Sequence, residues 1–234
     1  LILLNFCQCC YICKYKKKSF MKIKILFNML SSFGYWLPQI LFFEIYYLLK
    51  GYKRNSVKLL NNDRFTDNIP CPYFFLHKLK KFFLNTDIKS FVDLGCGDGR
   101  SIFFFNKQLK INFYGIEYDP SVYKNCKKLF DKYDNIQINH GDIMSFKFLE
   151  YNNDCFFIGD PLKKKYDFDK LIQKILEKNM KNRKKIYFIV VNVDENKREV
   201  FNKYKLIDSL RKNNKGYYIY SNEKINENSA NKKS

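Results

Sequence analysis

Residues 91–100, "FVDLGCGDGR", decide how this chain folds, because they place three glycines on alternate positions directly after an apolar run. Gly95 and Gly97 let the backbone turn without a Cβ atom, and Gly99 lets a following helix pack closely. An acid, Asp93, ends the apolar run. A solvent-exposed loop needs no such spacing, whereas a backbone that passes close under a ligand does. The stretch therefore predicts a buried strand, a tight turn against a ligand and a helix.

The acid at the end of this strand indicates the charge of the ligand. Asp93 lies two residues before the first glycine, where a carboxylate repels a pyrophosphate and attracts a positive amine. The dinucleotide-binding fingerprint G-x-G-x-x-G needs two residues before its last glycine, whereas here Asp98 alone separates Gly97 from Gly99. The turn therefore favours S-adenosylmethionine, which is cationic at its amino group and at its sulfonium, as the cofactor.

Short apolar strands alternate with helical patterns after Pro72. The strand candidates are "SFVDL", "NFYGIE", "IQINH", "DCFFIGD" and "KIYFIVVNV", followed by "LIDSL" and "GYYIYS" on either side of the polar "RKNNK". This alternation predicts a parallel sheet covered by helices on both faces, and the final pair adds one antiparallel strand at an edge. We therefore expect an α/β fold with a doubly wound, mostly parallel seven-stranded sheet and a hydrophobic helical N-terminal extension.

Two further acids follow the next two predicted strands. Glu117 ends the second strand, 18 residues after Gly99, and Asp142 follows the third strand in "HGDI". Because the carboxyl ends of parallel strands meet at one edge of a sheet, these acids are expected near the glycine turn. A carboxylate at the position of Glu117 can accept both hydroxyls of a ribose, and one at Asp142 can accept an adenine amino group.

The turn and the two strand ends that follow it resemble a known family. "VDLGCGDGR", "GIEYDP" and "HGDI" are similar to the first three motifs of the class I, seven-stranded S-adenosylmethionine-dependent methyltransferases, and the resemblance covers about residues 70–220. Within that family the turn most resembles the non-SET histone lysine methyltransferase branch. It also resembles the membrane-anchored lysine methyltransferases, which have a hydrophobic N-terminal segment.

The resemblance implies a set of residues that bind the cofactor. The implied residues are Asp93, Gly95, Cys96, Gly97, Gly99, Glu117, Asp142 and Tyr73. The turn would line the methionine end, Glu117 the ribose and Asp142 the adenine edge. "IPCPYFF" resembles a segment in which Tyr73 helps to close the pocket, and the alternative is that Tyr73 only packs on its helix. We expect no metal site.

The fourth strand ends in "CFFIGDPL", where the resemblance implies the acceptor site. Amine-methylating members have an acid or amide there, then two prolines and an aromatic residue, which together hold a flat amine. Asp160 and Pro161 match the start of this pattern, but Leu162 and Lys163 replace the rest. Asp160 is therefore a candidate catalytic residue that orients the acceptor or, alternatively, a loop cap. The missing ring disfavours methylation of a nucleobase.

We therefore predict an S-adenosylmethionine-dependent methyltransferase that acts on a protein lysine side chain. The alternatives are an RNA, DNA or small-molecule methyltransferase, and a non-catalytic cofactor-binding remnant. The net charge of +20 favours an acidic partner such as nucleic acid. However, only six of the 43 basic residues are arginine, which reads phosphates better than lysine does, so the charge indicates general composition rather than one binding patch.

Residues 25–43, "ILFNMLSSFGYWLPQILFF", carry no charge over a length that is sufficient to cross a bilayer. Pro38 and Gln39 interrupt this run and Glu44 follows it directly. Three alternatives stay open: a membrane span, a helix in the membrane interface, and a helix packed on the domain. We expect a cytoplasmic protein with a membrane surface as an additional partner through residues 25–49.

The composition divides the chain into four parts. We expect a leader that need not be native at residues 1–20, a hydrophobic helical segment and linker at 21–69, the methyltransferase domain at 70–221 and a flexible tail at 222–234. Four cysteines crowd residues 7–13, but their spacing does not match a metal site. The other four cysteines are scattered, which fits a reducing compartment such as the cytoplasm.

Overall fold

The computed structural model describes residues 33–52, 62–144, 153–181, 185–212 and 215–224. The helices are α1 (Leu37–Leu49), α2 (Tyr73–Leu84), α3 (Arg100–Asn106), α4 (Pro120–Phe130), α5 (Lys165–Lys181) and α6 (Glu195–Arg198), with 3₁₀ turns at Gly34–Trp36 and Glu199–Phe201. The strands are β1 (Ser90–Leu94), β2 (Asn112–Glu117), β3 (Ile136–His140), β4 (Cys155–Ile158), β5 (Tyr187–Val191), β6 (Tyr204–Lys212) and β7 (Lys215–Lys224). The expected leader with its cysteine cluster, and residues 25–32, lie outside the described residues.

The seven strands form one sheet in the order β3-β2-β1-β4-β5-β7-β6. Strands β1 to β5 run parallel to one another, β7 is antiparallel to β5, and β6 is antiparallel to β7. The α/β fold and its mostly parallel seven-stranded sheet are therefore confirmed. One detail differs, because the antiparallel strand β7 lies between β5 and β6 rather than at the edge.

Apolar side chains cover both faces of this sheet, since successive residues of a strand point to opposite faces. Phe91 and Phe157 belong to the core under α1, α2, α3 and α4, whereas Val92 and Phe156 belong to the core under α5. Strands buried on both faces read as continuous apolar runs, which is why the sequence pattern predicted them well.

The first helix packs on the domain instead of standing apart from it. The Trp36 ring lies 5.8 Å from that of Phe75, and the Tyr47 ring lies 5.1 Å from that of Phe104 in α3. The Tyr47 hydroxyl also lies 2.7 Å from Nδ1 of His77 in α2. Among the helices that the structure describes, none is both long and apolar enough to cross a membrane.

The last strand continues beyond the domain end expected at residue 221. Asn222 pairs with Ile186 twice: its backbone N–H donates to the Ile186 carbonyl over 3.1 Å, and its side-chain Oδ1 accepts the Ile186 N–H over 3.0 Å. Because these bonds extend the pairing beside β5, residues 222–224 belong to the sheet.

Candidate functional site

A cavity opens at the carboxyl edge of the sheet, where β1 lies between β2 and β4. It encloses about 900 Å³, counting the part that is open to solvent at its mouth. The glycine turn after β1 forms one wall, and the segment before α2 forms the opposite wall. Ligands of open parallel sheets bind outside the carboxyl ends of the strands, at the point where the strand order reverses. This cavity is therefore the candidate active site.

The glycine turn has a backbone that favours glycine. Gly95, Gly97 and Gly99 have φ angles of 84°, 55° and 78°, all in the left-handed region. At Gly97, an added Cβ atom would lie 2.3 Å from Oδ1 of Asn68, which belongs to the segment before α2. At Gly99, it would lie 2.4 Å from the Phe130 ring of α4. At both positions the backbone is therefore closely packed against another part of the chain, and its close approach to a ligand stays a prediction.

Asp93 and Glu117 are buried beside this turn, at the ends of neighbouring strands. The N–H of Gly97 donates to Oε2 of Glu117 over 2.9 Å, and the N–H of Asp119 donates to Oε1 over 2.8 Å. The Ser101 hydroxyl donates to Asp93. The structure thus brings the first two predicted acids to the same cavity wall, and each already has a fixed orientation.

The environment of these two carboxyls raises their pKa values. Burial raises the pKa of Asp93 to about 7; the hydrogen bond from Ser101 opposes this shift and the charge of Glu117 adds to it. Burial also raises the pKa of Glu117, against the backbone N–H groups of Asp119 and Gly97, which stabilise the carboxylate. A cation placed between the two carboxyls would favour their ionised forms.

The cavity wall is acidic although the chain as a whole is strongly basic. Its carboxylates are Asp67, Asp93, Asp98 and Glu117. Among the described residues that line it, Arg100 is the one basic side chain, and its Nη1 lies 2.9 Å from Oε1 of Glu44. The Arg100 guanidinium also lies 4.5 Å from the centre of the Tyr73 ring. The wall therefore suits a cationic ligand better than a phosphate.

A segment that precedes α2, here called the strap and comprising residues 62–72, lies across the cavity. Its Thr66 N–H donates to the Pro161 carbonyl over 3.1 Å, and the Thr66 hydroxyl donates to the Asp160 carbonyl over 2.6 Å. Phe65 forms an isolated β-bridge with Leu162. The linker expected at residues 21–69 therefore contributes directly to the site at its C-terminal end. The sequence pattern does not indicate this role, because the strap is polar and rich in turn-forming residues.

Two side chains of the strap face the ligand cavity. The Phe65 ring lies 4.4 Å from the Tyr118 ring, which follows Glu117, and both rings line the cavity. Nδ2 of Asn68 is buried and has no hydrogen-bond partner, opposite the backbone of Gly97. A buried donor without a partner is costly, so this amide marks a place where a ligand acceptor would be stabilised.

Cys96 also lines the cavity, from the middle of the glycine turn. The neighbouring Cys126 thiol, together with burial, raises the pKa of Cys96 well above its usual range. The thiol therefore stays protonated, and its Sγ donates weakly to the Gly97 carbonyl at 3.7 Å. A neutral buried thiol of this kind packs against a ligand rather than reacting with it.

Five predicted site residues do not line the cavity, namely Gly97 and Gly99 of the glycine turn, Tyr73, Asp142 and Asp160. Tyr73 is fully buried among aromatic rings, 5.2 Å from that of Tyr47, which favours the alternative that it packs on its helix. Asp142 accepts a hydrogen bond from Nη1 of Arg64 over 2.8 Å and one from the Met144 N–H over 2.8 Å. Its neighbour Ile143 lines the cavity in its place.

Asp160 differs from the expectation in the same way, since its carboxylate faces Lys197 and does not line the cavity. Nζ of Lys197, from α6, donates to Oδ1 of Asp160 and to the Leu162 carbonyl, both over 2.7 Å. Burial raises the pKa of Asp160, and the Lys197 ammonium opposes the shift. Asp160 has a φ of 52°, so its backbone turns sharply while its neighbours Gly159 and Pro161 line the cavity.

Asn192, at the end of β5, is a further wall residue that the sequence did not indicate. Its φ is 55°, its N–H donates to the Gly216 carbonyl over 2.9 Å, and its Oδ1 accepts the Gly216 N–H over 3.0 Å. This reciprocal pair ties the β6–β7 hairpin to the cavity edge. Within the described parts of the chain, no group of three or more histidine, cysteine or acidic residues is arranged to hold a metal.

Comparison with known proteins agrees with this geometry. Residues 85–232 match the model of a family described as a methyltransferase domain, so the chain belongs to that family. No curated protein matches the sequence.

Solved structures share the fold at low identity. An RNA methyltransferase from Salinibacter ruber, in complex with S-adenosyl-L-homocysteine, is 17% identical, with a TM-score of 0.52 over 68% of this chain and 97% of the other. A Staphylococcus aureus protein, provisionally described as a caffeoyl-CoA O-methyltransferase, is 12% identical, with a TM-score of 0.50 over 86% and 99%. These likenesses support the fold and do not identify an acceptor.

Family membership and the sheet topology define an S-adenosylmethionine-dependent methyltransferase. The residues that are present fit this cofactor. Gly95 and Cys96 of the glycine turn line the cavity together with the buried carboxyls of Asp93 and Glu117. The Nδ2 of Asn68, in the same lining, is buried without a hydrogen-bond partner. These groups match a ligand that is cationic at one end and has hydroxyl donors in its middle.

Proposed function

We propose that this methyltransferase transfers the methyl group to the side-chain amine of a protein lysine. The observation that supports this proposal most is the contrast between an acidic cavity wall and a chain with a net charge of +20. Such a wall attracts a lysine ammonium and repels the phosphates of a nucleic acid.

In this proposal, different residues of the chain bind different parts of the cofactor. Asp93 accepts hydrogen bonds from the amino group of the methionine end, and the Asn68 amide donates to its carboxylate. Glu117 accepts the ribose hydroxyls with the lone pairs that Gly97 and Asp119 leave available, because a carboxylate has about four acceptor sites. The apolar surfaces of Phe65 and Tyr118 contact the adenine. The bound cofactor supplies an electrophilic methyl carbon on a sulfonium.

The acceptor end of the cavity has to hold an amine in its neutral form. The nitrogen lone pair would form the new bond to the methyl carbon while the bond from that carbon to sulfur breaks and the sulfur leaves as a neutral thioether. The ammonium must therefore first lose a proton to solvent or to a carboxylate. Apolar walls such as those of Phe157 and Val191 favour the neutral amine, because burial disfavours its charged form. The more exposed Asp67 and Asp98 attract the incoming ammonium. Alignment of the two reacting atoms then supplies much of the rate enhancement.

Methylation of RNA is the second candidate, and a specific observation favours it. Lys163 and Lys164 are exposed and follow Pro161, which lines the cavity, after the single residue Leu162, so cations are available near the cavity for phosphate contacts. Against this candidate, Leu162 is fully buried where a stacking ring would be needed to hold a base.

Transfer of a labelled methyl group distinguishes these acceptors. The purified protein would be incubated with labelled S-adenosylmethionine and a cell lysate, and the products treated with protease or with nuclease. We expect label that protease releases and that amino-acid analysis identifies as methyl-lysine. Label released by nuclease would support the RNA candidate instead.

The matched variants are Glu117→Ala, which removes a cavity carboxylate, and Asp87→Ala, which removes an exposed one. We expect the first to abolish labelling and the second to leave it unchanged. If no fraction acquires label although the protein binds the cofactor, the chain is a non-catalytic cofactor-binding remnant and the proposal is wrong.

A further inference from the structure

Helix α1 is apolar on both of its faces. Its inner face contacts the domain through Leu37, Ile40 and Tyr47, which are buried. Its one charged residue, Glu44, is also buried and binds Arg100. A helix that is hydrophobic all round is normally covered on every side, so the outer face of α1 requires an explanation.

The outer face exposes large apolar side chains in a single stripe, which comprises Tyr35, Phe42, Ile45 and Leu49. Their exposed fractions are 65%, 60%, 42% and 84%. The spacings of three and four residues place Phe42, Ile45 and Leu49 on one side of α1, over a length of about 10 Å, and Tyr35 precedes them in the 3₁₀ turn. Exposed apolar residues usually occur singly on a protein surface, and a continuous stripe marks an interaction site.

The lysines that the structure describes near the stripe lie at its two ends. In the sequence, residues 1–58 contain ten lysines and arginines and a single acid, the buried Glu44. At the two ends of the stripe, Nζ of Lys212 lies 3.8 Å from the Tyr35 ring centre and Nζ of Lys50 lies 4.7 Å from that of Tyr46. An apolar stripe with aromatic residues and lysines at its ends is typical of helices that lie in the interface of an anionic membrane.

We propose that the outer face of α1 docks the protein on an anionic lipid surface, with the helix lying in the plane of the headgroups. The net charge of +20 also disfavours a second copy of this chain as the occupant, because like-charged molecules repel one another. This proposal does not depend on the identity of the methyl acceptor, since the stripe lies on a helix layer outside the cavity.

Flotation with lipid vesicles tests the proposal on the full chain. Vesicles of phosphatidylcholine alone would be compared with vesicles containing 30% phosphatidylserine, a proportion chosen to give a surface potential on the order of that of a cytoplasmic leaflet. We expect binding to the anionic vesicles, and we expect Phe42→Ser/Leu49→Ser to weaken it by about tenfold or more. Leu84→Ser is the matched control, because Leu84 is a 61% exposed leucine at the end of α2, and its affinity should not change.

Three results would overturn the proposal. Absence of binding to anionic vesicles, or binding that the double variant leaves unchanged, would exclude the stripe as the lipid contact. Light scattering that shows a dimer in the parent and a monomer in the double variant would assign the stripe to a second copy. A lower melting temperature of the double variant without vesicles would instead indicate that residues 25–32 cover the stripe.

Discussion

Nη1 of Arg100 lies 2.9 Å from Oε1 of Glu44 and 3.0 Å from Oε2, and both side chains are almost completely buried. Oε1 of Glu44 also accepts the N–H of Tyr73, at the start of α2, over 2.9 Å. Since Arg100 begins the helix that follows the glycine turn, this carboxylate connects α1, α2 and the cofactor loop. The N-terminal helix is therefore part of the structure that holds the site.

The buried ion pair yields the first prediction. Arg100→Met should lower the free energy of unfolding by about 3–5 kcal/mol, because it leaves the Glu44 carboxylate buried without its cation. Glu44→Gln should also lower the free energy of unfolding, because it leaves the Arg100 guanidinium buried without its anion. The double variant Arg100→Met/Glu44→Gln should recover part of the lost stability. Urea unfolding measures all three values.

The exposed ion pair between Lys89 and Asp87 is the control for this measurement. Its disruption by Lys89→Ala should change stability by less than about 1 kcal/mol, as is usual for surface pairs. A double variant that is as unstable as the sum of the single variants would show that the two buried groups do not interact energetically.

The raised pKa of Asp93 yields a prediction about pH. The carboxyl titrates near 3.8 in an unfolded chain and near 7 in the folded protein. The folded state therefore binds more protons between these values, and stability falls as pH rises from about 4 to 7. Asp93→Asn keeps a hydrogen-bond acceptor for Ser101 without a titrating group, so it should remove this loss, which amounts to at most about 4 kcal/mol.

Chemical denaturation between pH 4 and 8, without cofactor, checks this expectation. The informative quantity is the difference in the free energy of unfolding between the parent and Asp93→Asn at each pH, since the other carboxyls titrate equally in both proteins. Parallel profiles for the parent and Asp93→Asn would contradict the assignment of a raised pKa to this group.

The close approach at the glycine turn yields a third prediction. Gly97→Ala should weaken binding of S-adenosylmethionine by at least about tenfold, because the new methyl group meets Asn68 and the backbone has a positive φ. Gly51→Ala separates these two effects, since Gly51 also has a positive φ, 74°, but nothing lies within 4 Å of an added Cβ atom. Isothermal titration of both variants should show a loss of affinity for Gly97→Ala alone; equal affinities would refute the contact.

The features that the sequence predicted depend on residues that are close together in the chain. The features that it did not predict depend on contacts between residues that are far apart in the chain. Asp93, Gly97 and Glu117 follow from local spacing, because a strand, a turn and a helix place them regardless of what packs around them. Asp142 does not reach the cavity because Arg64, 78 residues earlier, binds its carboxylate. Pairing of that kind leaves no periodic signal in the sequence.

The acceptor side of the cavity illustrates the same limit. Asp160 matched a motif position, but the residue that determines its orientation, Lys197, lies 37 residues later on a short helix. The local sequence of the strap indicates only a linker, because its contacts with Asp160 and Pro161 join residues more than 90 positions apart in the chain. The fold and the glycine turn could thus be predicted from the sequence, whereas the side of the cavity that faces the methyl acceptor depends on tertiary contacts.

The pair formed by Asp160 and Lys197 yields the last prediction. The Lys197 ammonium bridges Oδ1 of Asp160 and the Leu162 carbonyl, and the turn between β4 and α5 that it fixes includes Gly159 and Pro161 in the cavity wall. Lys197→Met should leave a buried carboxylate without its cation. It should lower the free energy of unfolding by about 3 kcal/mol and should lower the rate of methyl transfer at saturating cofactor by about tenfold or more. Asp160→Asn keeps the shape of the side chain and should therefore lower stability and rate less than Lys197→Met does.

A double-mutant cycle with methyl transfer as the readout separates positioning from catalysis. If Asp160 acts only by holding the turn through Lys197, the variant Asp160→Asn/Lys197→Met should be no slower than Lys197→Met alone, since both changes disrupt one contact. If Asp160 orients the acceptor amine itself, the second substitution should slow the reaction further at unchanged cofactor affinity. We expect the first outcome, because the carboxylate faces Lys197 and not the cavity, and a strictly additive cycle would contradict it.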